Sequence, residues 1–145
     1  MTTPDGYHET DESAWYLNPI AEIKGVRHAL IMTLDGMVVA RSQDLSIDEA
    51  DGIAAMTSAL HAASRTATNT ALGAPDNTPI ETVTVQNAYG TYMVMPAGVR
   101  TNTLIAAAGD VDMPMGVVAH TMARQAKKLG EQLMSVPVRS ENGVS

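Results

Sequence analysis

Gly25-Val26-Arg27-His28-Ala29-Leu30, with Leu34-Asp35-Gly36-Met37-Val38-Val39-Ala40 just after it, decides how this chain is read. Residues 26–34 alternate well enough for a strand, with Val26, Leu30, Met32 and Leu34 on one face. Asp35-Gly36 suits a tight type I′ turn, which needs positive φ angles. Residues 37–40 are apolar and return as the second strand of a hairpin. Gly25 marks the end of whatever precedes the first strand.

Upstream, residues 13–24 read as an interrupted helix. Ser13 can cap a first turn that carries Trp15 and Leu17. Pro19 breaks the pattern or starts a second turn capped by Asn18, with Ile20 and Ile23 facing the core. Downstream, Ser46-Ile47-Asp48-Glu49 has the form of a capping box. A long helix then runs to about Leu72, with a stripe of Ile47, Ala50, Ile53, Met56, Leu60, Ala63 and Ala67. Alanine is spread around this helix, and small side chains let another element approach closely.

Residues 80–86, rich in Val and Thr, read as a third strand. Asn87-Ala88-Tyr89-Gly90 is a turn, and residues 91–95 are a fourth strand. Residues 103–108 are a continuous apolar run, as at the buried centre of a sheet. Asp112 is placed to cap a last helix with Pro114 in its first turn. Its buried stripe is Val118, Met122, Ala126, Leu129 and Leu133, and Pro137 closes it. The order is α-β-β-α-β-β-β-α: an α/β (α+β) domain with one five-stranded, mostly antiparallel sheet. Residues 13–136 form the domain, between an acidic tail at 1–12 and a polar tail at 137–145, both read as disordered.

The 145 residues fit one domain, and 45% hydrophobic content is enough for a packed core. A net charge of -7 makes nucleic acid and anionic membrane poor partners. The first residues are polar and acidic, and no apolar run is long enough to span a bilayer, so a cytoplasmic location is expected. The chain has no Cys, which excludes disulfide and thiolate chemistry.

No enzyme motif assembles, and no cofactor is expected. There is no GxxxxGK[ST] and no GxGxxG after a strand. His8, His28, His61 and His120 lack metal-ligand spacing, so no metal site is expected; His28 reads as a core or rim histidine. Asp35 reads as a turn residue, Asp110 and Asp112 as caps, rather than as catalytic carboxylates or Mg²⁺ ligands. Arg100, on a Gly98-containing turn, has the exposure of an arginine supplied in trans, although a solvated loop arginine is the plainer reading. Ten methionines stand in for the missing Phe as core filling, with Met113 and Met115 as candidates for exposed contacts.

Three places together resemble the roadblock/LC7 family: the 25–40 stretch above, the alanine-rich helix opening Ile47-Asp48-Glu49-Ala50, and Gly116-Val117-Val118-Ala119-His120-Thr121-Met122 in the last helix. Within it, the chain is most similar to the roadblock proteins of actinobacterial conservon gene clusters. The resemblance covers roughly residues 15–136. It implies two outer helices on one face of the sheet and the long central helix on the other. It also implies a homodimer with the third strand and central helix at the interface, which here means Met56, Leu60, Ala63, Ala67, Glu81, Val83 and Val85. A Thr/Val edge strand without proline independently invites such pairing.

The role the resemblance implies is binding or regulation of a Ras-like small GTPase, with a sensor-kinase-like protein as a further partner. Candidate contacts are His61, Ser64, Arg65 and Thr68 on the flank of the central helix, with Arg100. The alternatives are a dimeric signalling scaffold without nucleotide-state preference and a small-molecule sensor. The sensor reading needs a pocket between sheet and helix, and the dense alanine and valine filling argues against one. The family's first helix is usually unbroken, and Asn18-Pro19 interrupts it here.

Overall fold

A computed structural model describes residues 11–98 and 101–144, with side chains over 13–98 and 101–134. The elements run α1 (Asp11–Trp15), α2 (Asn18–Ala21), β1 (Val26–Thr33), β2 (Val38–Arg41), α3 (Ile47–Leu72), β3 (Val83–Asn87), β4 (Gly90–Pro96), β5 (Thr103–Gly109) and α4 (Met115–Val144). The strands form one sheet in the order β2-β1-β5-β4-β3, and every neighbouring pair is antiparallel. The apolar run of β5 lies at its centre, as expected of a strand covered on both faces.

Two cores result, one on each face. Ala29, Ile31, Met93, Ile105 and Ala107 meet Leu17, Ile20, Val118, Met122 and Leu129 from α2 and α4 and the residue before α2. Leu30, Met32, Val94, Leu104 and Ala106 meet Ala50 and Ala54 of α3, with Ile80 and Leu45 at the margins. The outer helices share one face and the central helix has the other. Gln125 of α4 donates to the Tyr16 carbonyl at 3.1 Å, tying α4 to the link between α1 and α2.

The first helix is broken, as Asn18-Pro19 suggests. The details differ: α1 starts before Ser13, and Leu17, not Asn18, occupies the N-cap of α2, with no side-chain cap bond. Pro19 takes the first turn, where its missing N–H costs nothing. Leu17 is buried, which aligns the break with the core, whereas Trp15 is exposed.

The β1–β2 turn is not type I′, because no described residue other than glycine has positive φ. Asp35 keeps a negative φ while Gly36, at φ +93, supplies the positive one. Gly36 N bonds the Thr33 carbonyl at 3.0 Å and Thr33 N bonds the Met37 carbonyl at 2.8 Å, closing a three-residue loop. Thr33 Oγ1 decides it by donating to Asp35 and accepting from Met37 N at 2.9 Å. The longer loop leaves Leu34 exposed instead of on the core face.

The capping box at Ser46 is formed: Glu49 N donates to Ser46 Oγ at 3.1 Å, and the Glu49 carboxylate receives Ser46 N. The expected α3 stripe is buried only in part: Ala50 is in the core, and Ile53 and Leu60 pack half-buried against it. Only Ala50, Ala54, Thr57 and Asn69 are buried, while Met56, Ala63 and Ala67 are exposed. The helix meets the sheet along a narrow line of small residues flanked by half-buried Ile53 and Leu60, while Met56, Ala63 and Ala67 stay uncovered.

The third strand begins at Val83 rather than 80. Buried Asn69 explains the delay: its side-chain amide donates to the carbonyls of Asp76 at 3.2 Å and Thr78 at 3.0 Å. That holds residues 76–78 against the end of α3, Pro79 has no N–H for a ladder, and Ile80 is pinned in the core. Asn69→Ala is expected to cost about 1–3 kcal/mol, since the two hydrogen bonds that the buried Asn69 amide makes to the 76–78 segment are lost. Urea denaturation against the parent checks it, and a cost below about 0.5 kcal/mol would count against this anchoring role.

At α4, Pro114 supplies the carbonyl that accepts the first helical bond, from Val118 N. Asp112 is not shown as the cap; its N–H bonds the Asp110 carboxylate at 3.0 Å, so Asp110 shapes the turn. Met113, expected at the surface, is buried beneath this turn. The helical backbone continues through Pro137 to Val144. A helix already propagated over six turns can lose one amide bond and continue. Residues 1–10 of the expected N-terminal tail lie outside the described residues, and 11–12 open α1. No described helix is long and apolar enough to cross a membrane.

Candidate functional site

Two concave regions flank α3. The first is a cleft of about 380 Å³ between α3 and the sheet, lined by His28, Leu30, Ile53, Met56, Thr57, Leu60, Tyr92 and Ala108. Alanine and valine do not fill this space. Ala108 is too short to reach α3, and the helix leaves a gap where a larger residue would stand. Thr57 Oγ1 and Tyr92 Oη, 2.6 Å apart, form a hydrogen bond in it. Burial raises the Tyr92 pKa, partly offset by that bond, so the phenol stays protonated. His28 Nδ1 lies 3.4 Å from Asp44 Oδ1 but makes no hydrogen bond. Met56, 68% exposed, stands on the rim.

The second region is a groove of about 630 Å³ at the opposite end of the sheet. It exists because β3 starts late: Val83 pairs with Val94, so Met95 and Pro96 of β4 extend past the end of β3. The segment 77–81 forms one wall, α3 brings His61 and Arg65, and α4 brings Ala123 and Lys127. Three bases thus meet one acid, Glu81, in a chain of net charge -7. His61 Nε2 is buried and has no hydrogen-bond partner. Its pKa is lowered, chiefly by burial and then by the Arg65 charge.

The sign of that shift sets a pH dependence. A histidine whose folded pKa is lowered takes up more protons in the unfolded chain, so stability falls as pH drops through the unfolded value near ~6.5. His61→Gln is therefore expected to gain on the parent between pH 7.5 and pH 5.5. Thermal unfolding at the two pH values reads this, and a pH-independent difference would overturn it.

The expected contact residues divide as follows. His61 and Arg65 come together in the groove; Ser64 and Thr68 lie on α3 outside its lining, half-buried and exposed respectively. Arg100 lies outside the described residues. Of the expected interface residues, Met56, Ala63, Ala67, Glu81 and Val85 are exposed and Leu60 is half-buried. Val83 belongs instead to the chain's own core, and Glu81 precedes the strand. Lys127, Met95 and Pro96 join the site without any local mark in the sequence, since only the late start of β3 opens the space they line.

Both faces of β3 are exposed beyond Val83, with Val85 46% exposed. α1 lies near β2, the strand at the other sheet edge. Among the described residues no group of three or more His, Asp or Glu is placed to hold a metal ion.

The chain is thus a three-layered α/β domain, with one antiparallel sheet between α2 and α4 on one face and α3 on the other, an exposed β3 edge, and a groove lined by His61, Arg65, Lys127 and Glu81. Residues 16–107 match the family model of the Roadblock/LC7 domain, and the chain belongs to that family. No curated protein matches the sequence. A Roadblock/LC7 domain from Streptomyces avermitilis has a similar structure, with TM-score 0.73 and 24% identity over 87% of this chain and 98% of that one. The gliding protein MglB from Thermus thermophilus is similar at TM-score 0.71 and 22% identity, over 83% and 87%. MglB from Myxococcus xanthus is similar at TM-score 0.72 and 10% identity, over 88% and 99%.

Proposed function

We propose that this chain is a homodimeric regulator or adaptor of a Ras-like small GTPase in a bacterial signalling system, working in the cytoplasm and non-catalytic by itself. The observation that carries the reading is a pair of uncovered surfaces, the β3 edge and the exposed face of α3, in a Roadblock/LC7 chain. An unprotected edge strand pairs with whatever strand is offered, and an identical edge offers a self-complementary one. Met56, Ala63 and Ala67 then lie where a second α3 can approach closely. The GTPase role rests on the family, whose usual work is to bind or regulate such proteins. The groove with His61 and Arg65 suits an acidic segment of a partner.

Capture of partners from a native lysate, in GDP and in a non-hydrolysable GTP analogue, tests the role. A small GTPase retained preferentially in one state supports regulation, because a ligand shifts a switch only by differential affinity. Arg65→Glu is expected to weaken capture about tenfold or more, the loss of one charge-assisted contact. Equal capture in both states would leave a dimeric scaffold, and a co-captured kinase-like protein would add the second partner. Absence of any GTPase in both states would sink the reading. The apolar 380 Å³ cleft favours one further reading, small-molecule sensing. A thermal shift of several degrees with an apolar metabolite is its signature.

A further inference from the structure

We infer that the groove at the end of the sheet takes an extended peptide segment of a partner protein, with acidic residues on either side of a short apolar centre. The inference rests on the partner-binding reading above and names what the groove recognises. It does not depend on dimerisation.

The sheet sets the shape of the site. α3 and α4 cover opposite faces, and the ends of β4 and β5 lie between them in the groove. His61 and Arg65 enter from α3 and Lys127 from α4, so the bases stand at its two ends. Packed layers lie about 10 Å apart, and one carboxylate cannot meet both ends. Four residues of extended chain, about 13 Å long, can. Between the ends the lining is largely apolar, with Pro79, Ile80, Met95 and Pro96. A methionine there adapts to side chains of different shape. A compact anion would meet one end and leave this centre empty.

The charges favour acidic residues. Arg65 and Lys127 are exposed, and among the described residues neither has an ion-pair partner. His61 Nε2 is buried without a hydrogen-bond partner. A carboxylate between Arg65 and His61 satisfies both, pairing with the guanidinium and accepting from the imidazole. The lining acid, Glu81, is on the 77–81 wall and on neither helix. In a chain of net charge -7 this groove is a local exception, and it steers acidic segments to this end of the sheet.

His61 gives the binding a pH signature. Burial, then the Arg65 charge, lower its pKa in the free protein. A bound carboxylate favours the charged imidazole and raises that pKa. Binding then takes up a proton, and affinity rises as pH falls from 8 to 6. The charged groups lining the groove around His61 are Arg65 on α3, Lys127 on α4 and Glu81 on the 77–81 wall. Histidine is the side chain whose charge ordinarily changes in that range.

The probe is a fluorescent hexapeptide with two acidic residues at each end and Leu-Val at its centre, followed by anisotropy with the full chain. Saturable binding is expected, about tenfold weaker when lysines replace its acids. Arg65→Glu and Lys127→Glu are each expected to weaken it about tenfold. Lys128→Glu makes the same charge change outside the groove lining and is expected to alter affinity less than about twofold. Binding is expected to be about threefold or more tighter at pH 6 than at pH 8, and His61→Gln to abolish that difference. Equal weakening by Lys128→Glu would mean unspecific attraction and refute the site. Tenfold tighter binding by Asp5→Asn/Glu9→Gln would show the chain's own acidic residues in the groove and overturn the partner assignment. A fall in the oligomeric state of the protein alone on Arg65→Glu would make a second copy the occupant, and overturn it too. Peptide binding with no GTPase captured keeps the groove and drops the GTPase role. Capture of a GTPase that both groove variants leave intact, with no peptide bound, refutes the groove and keeps the role.

Discussion

Gly90→Ala is expected to destabilise the fold by about 3–5 kcal/mol, combining backbone strain with a collision that cannot relax. Gly90 has φ +151, where side chains are rarely accommodated. A Cβ there would stand 2.0 Å from the Gly109 carbonyl oxygen and 3.0 Å from Asp110 Cα. Both are backbone atoms, held because Gly109 pairs with Thr91 of β4 and with Val26 of β1. No rotamer change relieves the contact, so β4 and β5 must part beside the turn that carries Tyr89. Gly52→Ala is the matched control. It lies within α3, nothing stands within 4 Å of its added Cβ, and a gain of about 0.5–1 kcal/mol is expected. Urea denaturation of the three proteins decides it, and a Gly90→Ala midpoint equal to the parent's would refute the close approach.

Val85→Asp is expected to weaken dimerisation about a hundredfold, or roughly 3 kcal/mol. If β3 pairs with its copy about Val85, the substitution sets two carboxylates opposite each other and removes two apolar contacts. Val85 is exposed in the single chain, so chain stability is expected to change by no more than about 0.5 kcal/mol. Sedimentation equilibrium supplies the Kd and denaturation the stability. A variant that folds normally and dimerises like the parent would move the interface away from β3. A variant that fails to fold would mean that Val85 belongs to the chain's own core, against its exposure.

Most of the fold is legible because its signals are local. The capping box at Ser46 and Glu49, the end of α3 at Leu72, the stripe of α4 and the apolar run of β5 each depend on residues a few positions apart. The candidate site is less legible. His61 and Arg65 stand one helical turn apart and read together, but Lys127 joins them only because α4 and α3 both reach the same end of the sheet. The α3 stripe misleads for a related reason. Periodicity marks an apolar face without saying whether this chain or a second copy covers it.

The order of elements, their type and the break before Pro19 follow from the sequence itself, since propensity, capping and turn chemistry act between near neighbours. Tertiary structure alone decided where β3 begins, because the Asn69 amide reaches across to the carbonyls at 76 and 78. It also decided that the β1–β2 turn is a three-residue loop, that Val83 is core and Val85 surface, and that small residues leave a cleft beneath α3. Each of these depends on which groups distant in sequence meet and how completely they fill the space between them, and no local pattern encodes that distance.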